Sequence, residues 1–253
     1  MDLRIEKLSF GYKGRSVLQD ISFETQAGTV TVVLGPNAVG KSTLLKCIVG
    51  ILKARGTIFL GENRTTGLSR KKAASILGYL AQEQASNALL NVFEMVLLGR
   101  MESFSLRISP QELETVWKIM REMRIDDIAT RFFHQLSGGQ RKIVLVAQTL
   151  VREPQILLLD EPTANLDIQN QLEMVQLIQN YTRQNRIATV MTLHDLNIAA
   201  RFADQLVVLK EGRVYCIGTP QEVLTKQVMR EVYGVDAEFF QDSRGIPVVH
   251  PVN

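Results

Sequence analysis

Gly35-Pro36-Asn37-Ala38-Val39-Gly40-Lys41-Ser42 sets two glycines, a lysine and a hydroxyl at the spacing G-x-x-x-x-G-K-[ST], and Thr43 follows. Glycine lets the main chain approach an anion closely, so successive N–H groups can wrap phosphate oxygens. A helix starting at Lys41 adds the partial positive charge of its N-terminus. Lys41 has the reach and charge for β- and γ-phosphates, and the Ser42 hydroxyl is a hard oxygen ligand for Mg²⁺. Alone, the pattern specifies a nucleoside triphosphatase or a kinase and no more.

Leu136-Ser137-Gly138-Gly139-Gln140 opens a second apolar, helix-prone stretch. Paired glycines, a helix start and the Ser137 hydroxyl make it a second phosphate-binding element. Further on, Ile156-Leu157-Leu158-Leu159 runs as an apolar strand into Asp160-Glu161. A buried strand end holds a carboxylate in place. Asp160 then suits Mg²⁺, through water, and Glu161 suits the base that orients and polarises an attacking water. A strand followed by a solvated acidic turn is the other reading of those letters.

These elements, in this order, resemble the ATP-binding subunits of ABC transporters, and the resemblance covers essentially the whole chain. It implies one ABC ATPase domain over 1–253, with ATP and Mg²⁺ as cofactors. It also implies a head-to-tail homodimer, in which ATP held by Gly35–Thr43 of one subunit is capped by Ser137–Gln140 of the other. Pro162-Thr163-Ala164-Asn165-Leu166-Asp167 matches the family's D-loop, which puts Asp167 at the dimer seam. His194 matches the switch histidine that contacts the γ-phosphate, and Gln82 the glutamine that touches Mg²⁺ and the water. Tyr12, in Phe10-Gly11-Tyr12, matches the aromatic that stacks on adenine. Taken singly, each of these three would be read as structural; His134 and His250 have no such context.

The chain departs from the family at Ala38, where glycine is usual, and at Val39, where a small residue is usual. If position 38 needs positive φ, alanine costs about 1 kcal/mol. Arg141-Lys142-Ile143-Val144, after the signature, is also unusual, with no evident consequence.

The elements that must position these groups are legible. Thr29-Val30-Thr31-Val32-Val33-Leu34 reads as a buried strand leading into the phosphate loop, and Lys41 to Leu52 as the helix behind it. Runs such as Leu3–Glu6 and Val17–Phe23 predict an antiparallel β subdomain at the N-terminus. Strands at 156–160, 187–192 and 205–209 alternate with helices near 169–185 and 195–203, which predicts a P-loop NTPase α/β core with a mostly parallel sheet. A helical subdomain is inserted at about 84–135. Within it, Ser109-Pro110-Gln111-Glu112 carries a serine cap, a first-turn proline and a glutamate three residues after the cap. Leu113, Val116, Trp117 and Met120 follow at helical spacing and read as core.

The chain has 253 residues, 45% hydrophobic and 22% charged, enough to bury a sizeable core. A net charge of +3 with the signs interspersed does not single out nucleic acid, and none is expected. Arg70-Lys71-Lys72 reads as a solvated helix start. Two distant cysteines, Cys47 and Cys216, suggest neither disulfides nor a metal cluster. The N-terminus lacks a signal-peptide core, and no apolar run reaches the ~18 residues of a spanning helix. Contact with a membrane would then run through a partner, at its cytoplasmic side.

ATP chemistry does not say what the motion drives. Val92–Arg100, His194–Arg201, Thr219–Leu224 and Tyr233-Gly234-Val235 resemble the ATPases of iron–siderophore, haem and cobalamin importers. That resemblance implies integral-membrane permease subunits as partners and, indirectly, an external substrate-binding protein. Two alternatives stand: a soluble ABC ATPase acting on ribosomes, DNA or metal-cluster assembly, and a small-molecule kinase. The first often carries tandem domains or basic arms, absent here; the second has no use for a phosphate cap acting in trans.

Overall fold

The structure is a computed structural model that describes residues 1–65, 70–82, 89–100 and 108–252. β1 (Leu3–Tyr12) and β2 (Arg15–Thr25) alternate buried and exposed side chains, the pattern of a sheet with one wet face. β3 (Val30–Leu34) is buried throughout and leads through the glycine loop into α1 (Lys41–Ile48). β4 (Arg55–Leu60) and β5 (Asn63–Arg64) return to the first layer, giving an antiparallel sheet of order β2-β1-β4-β5. The helix α1 stops before the expected Leu52. Gly50 turns to φ 81, and its N–H bonds back to the Cys47 carbonyl.

The middle of the chain holds α2 (Arg70–Ile76), β6 (Leu77–Leu80), α3 (Val92–Leu98), α4 (Pro110–Glu122) and α5 (Gly138–Leu150). Part of the expected helical insertion, 84–88 and 101–107, lies outside the described residues. In its described part, α4 starts as its sequence dictates: Ser109 accepts from Glu112 N–H, and the Glu112 carboxylate accepts from Ser109 N–H. Asn91 and Glu94 close α3 in the same way. Of the stripe read as core, Val116 and Met120 are buried, but Leu113 and Trp117 are partly exposed. Trp117 sits at the edge of the layer, against Phe93.

β7 (Ile156–Asp160), α6 (Ile168–Asn185), β8 (Ala188–Thr192), α7 (Leu196–Phe202), β9 (Gln205–Lys210) and β10 (Arg213–Gly218) complete the central layer. The six-stranded sheet has the order β10-β9-β3-β8-β7-β6, parallel except for β10. Side chains of one strand go to opposite faces. Val30, Val32 and Leu34 join a core with α5, α6 and α7, whereas Val33 joins one with α1, β1 and β2. Helix on one face and antiparallel sheet plus helix on the other leave the C-terminal strand ends gathered at one edge. In open parallel sheets that edge is where ligands bind.

The chain ends with α8 (Pro220–Val223), α9 (Lys226–Val228), a π-helical turn at Met229–Tyr233, and a hairpin of β11 (Asp236–Gln241) and β12 (Pro247–Val252). The sequence carried no forecast of this hairpin. It docks on α7 through Asn197, whose amide accepts from Val249 N–H and donates to the Val249 carbonyl. Among the described residues no helix is long and apolar enough to cross a membrane, and Cys47 and Cys216 are free.

Candidate active site

The loop between β3 and α1 is held open by glycines. Gly35 has φ 142, and a Cβ there would lie 2.5 Å from the Leu209 carbonyl oxygen. Gly40, at φ 112, begins α1, and a Cβ on it would meet Leu18 at 2.8 Å. No side chain caps α1, so its first N–H groups face the loop. Ala38 takes φ 62, the left-handed conformation that a glycine would occupy without strain. Lys41 is buried, and its ammonium donates to the carbonyls of Gly35 at 2.7 Å and Pro36 at 3.1 Å. Burial pulls the Lys41 pKa down, against the fields of Glu161 and Asp160.

At the end of β7 the two acids separate. Asp160 is 1% exposed and accepts from Ser42 Oγ at 2.9 Å and Thr192 Oγ1 at 3.0 Å. Burial raises its pKa; the two hydroxyl hydrogen bonds oppose this and the Glu161 charge adds to it. The chain then turns left-handed, with Glu161 at φ 51. That turn aims its carboxylate between Gln82 Nε2, at 2.5 Å, and His194 Nε2, at 2.6 Å.

One open cleft of about 850 Å³ is lined by Tyr12, Asn37 to Thr43, Gln82, Glu161 and His194. Tyr12 is 48% exposed at its rim, its ring set edge-on against Phe10 with centroids 4.8 Å apart. The structure thus gathers the phosphate loop, the glutamine, the second acid, the histidine and the tyrosine, while Asp160 lies just beneath.

It does not bring the Leu136–Gln140 element or Asp167 into that cleft. Ser137 caps α5, accepting from Gln140 N–H while the Gln140 side chain accepts from Ser137 N–H. Ser137 and Gly138 are exposed, Leu136 and Gly139 buried. A Cβ on Gly139 would lie 2.8 Å from Asn170, which Asp167 holds at the start of α6. Leu136–Gln140 and the Asp167 turn therefore pack together through Gly139 and Asn170, and Ser137, Gly138 and Asp167 are exposed without lining the cleft.

Two residues at the site escaped sequence reasoning. Thr192, fully buried, joins both acids: its hydroxyl also accepts from Glu161 N–H at 2.8 Å. Its signal was a hydroxyl two positions before His194, in a strand otherwise read for its apolar run. Lys142, from the stretch passed over as inconsequential, donates from α5 to the Gln82 carbonyl at 3.1 Å. Burial lowers its pKa against the fields of Glu161 and Asp160.

The ABC transporter family model matches residues 18–164, the stretch from β2 through the phosphate loop, signature and acid pair. The chain belongs to the ABC transporter family. It is an ATP hydrolase of that family, and its fold is the ABC ATPase fold. An ABC transporter ATP-binding protein of Methanocaldococcus jannaschii is 42% identical over 100% of this chain and 98% of its own length. The ferric enterobactin transport ATP-binding protein FepC of Escherichia coli is 34% identical over 99% of this chain and 94% of its own. A metal-chelate type ABC transporter in an inward-facing conformation superposes with a TM-score of 0.86 at 25% identity, covering 99% of this chain and 97% of that one.

Proposed function

We propose that this chain is the ATP-hydrolysing subunit of an importer of metal chelates of the iron–siderophore, haem or cobalamin kind. The observation that carries the motor reading is the Glu161 carboxylate, held by Gln82 and His194 over the phosphate loop. Adenine stacks on Tyr12, and the triphosphate lies along Gly35–Thr43 with Lys41 at its β- and γ-phosphates. Ser42 and Asp160 offer two hard oxygen donors side by side, a donor set that suits Mg²⁺. When bound, Mg²⁺ neutralises charge on the β- and γ-phosphates.

Glu161 then orients and deprotonates the water for in-line attack, and Gln82 and His194 fix the carboxylate while contacting the water and the γ-phosphate. The outward Ser137–Gln140 element completes the site of a second copy, with Asp167 at the seam. A head-to-tail pair uses the same surfaces twice and closes on two nucleotides. Closure moves the helical layer around α3 and α4, against which permease subunits dock at the cytoplasmic face of the membrane. An external binding protein delivers the cargo to that permease. Iron chelate as cargo rests on relatives named for iron(3+)-hydroxamate import and ferric enterobactin transport.

Affinity purification of the tagged chain from detergent-solubilised native membranes, followed by mass spectrometry, tests the transport reading. A stoichiometric many-helix permease supports it, and uptake assays on that permease then identify the cargo. Ribosomal, nucleic-acid or cluster-assembly partners without a permease would overturn the importer and leave the ATPase standing.

A further inference from the structure

Glu161 is the first residue past the last paired position of β7, Asp160 opposite Thr192. There its backbone takes φ 51, a conformation that costs an L-residue about 1–2 kcal/mol. Its buried N–H finds one acceptor, the Thr192 hydroxyl, at 2.8 Å. Chemistry fixes the direction of both bonds on that oxygen. An amide N–H only donates, so the single hydroxyl proton is left for Asp160 Oδ1 at 3.0 Å. Thr192 is fully buried and does not line the cleft.

We propose that Thr192 is a positioning residue for hydrolysis: its hydroxyl holds the left-handed Glu161 backbone and through it aims the carboxylate. Without that acceptor a buried donor is orphaned and the strained turn loses its tie. Glu161 then relaxes toward an ordinary φ, and its carboxylate leaves the pocket between Gln82 and His194. A displacement of about 1 Å at a reacting group lowers rates by up to about 100-fold. Adenine and the phosphates are held by Tyr12 and the loop, and Asp160 keeps its hydrogen bond from Ser42 when the Thr192 hydroxyl is lost. The effect therefore falls on kcat and spares KM.

This inference rests on Glu161 as the base, and the test separates the two. Thr192→Val keeps the shape of a buried strand residue and removes the hydroxyl. Thr192→Ser and Thr192→Ala both lose the methyl and differ only in the hydroxyl. In the full-length chain, phosphate release by the Val and Ala variants should fall about 10- to 100-fold in kcat. Binding of a fluorescent ATP analogue should stay within about threefold, and the Ser variant should recover kcat to within about threefold of the parent. An Ala variant as fast as Ser, or a Ser variant as slow as Val, overturns the proposal, because methyl packing would then account for the site. Glu161→Gln is measured alongside. If it turns over at the parental rate, the base assignment falls and takes this proposal with it; if it is inert while Thr192→Val runs at full rate, only the Thr192 proposal falls.

Discussion

The Ser42 hydroxyl donates to Asp160 Oδ1 across 2.9 Å, joining the phosphate loop to the end of β7 over 118 positions of sequence. Asp160 is fully enclosed, and burial, the largest influence on it, pushes its pKa up. A carboxylate whose folded pKa lies above its unfolded value favours the folded state in its protonated form. Its ionisation therefore costs stability as pH rises through the folded value. Asp160→Asn keeps the shape and both hydroxyl hydrogen bonds but removes that charge. The variant should melt at a higher temperature than the parent at pH 7, and the gap should close as pH falls and the parental carboxyl becomes neutral. Its Mg²⁺-dependent ATPase should drop about 100-fold or more. Thermal melts at several pH values, with phosphate release alongside, check both halves.

Ala38 is the one non-glycine residue of the phosphate loop in the left-handed region, at φ 62. Ala38→Gly removes about 1–2 kcal/mol of strain and gives back about 0.5–1 kcal/mol in unfolded-chain entropy. The variant should gain up to about 1.5 kcal/mol, a rise of about 2 °C in Tm at the middle of that range for a chain of this size. Its ATP affinity should equal or exceed that of the parent. A melting temperature below the parent's would show that the loop relieves the strain in another way.

Tyr12 presents its ring at the cleft rim, braced edge-on by Phe10. Base–aromatic stacking contributes about 1–3 kcal/mol. Tyr12→Ala should raise the KM for ATP about tenfold and leave kcat within about twofold, whereas Tyr12→Phe should behave as the parent. Steady-state kinetics with ATP distinguishes a stacking ring from a packing one, because loss of packing alone would lower stability without a selective change in KM.

What the sequence made legible follows the physics of each signal. The phosphate loop, signature and acid pair are contiguous letters whose chemistry needs particular residue types, so Gly35, Gly40 and Lys41 announced themselves. Buried strands such as β3 and β7 are plain apolar runs. The α4 start was readable because a capping box is a local device. Thr192 was hidden because a threonine in a strand is ordinary until its neighbours across the sheet are known. Lys142 was hidden because its partner, the Gln82 carbonyl, is a main-chain atom 60 positions away. The hairpin at Asp236–Val252 docks through long-range contacts, Asn197 on Val249 and the burial of Ala237 and Val249 in the core, which no local pattern encodes. Leu113 and Trp117 kept helical spacing yet remain partly exposed, since spacing defines a face and not what covers it.

Ser137 and Asp167 are exposed and neither lines the chain's own cleft, which yields a test of composite sites. Lys41→Ala breaks the phosphate loop, and Ser137→Ala breaks the cap; each homodimer should be nearly inactive. In a mixed dimer the two lesions fall into the same composite site, because that site pairs the loop of one subunit with the signature of the other. The remaining site is then intact. Random mixing makes half the dimers mixed, each with one good site of two, so activity should return to about a quarter of the parental rate. If both elements served their own chain, every site in every dimer would carry a lesion and mixing would restore nothing. Phosphate release by the co-refolded or co-expressed pair, compared with each variant alone, decides between the two arrangements.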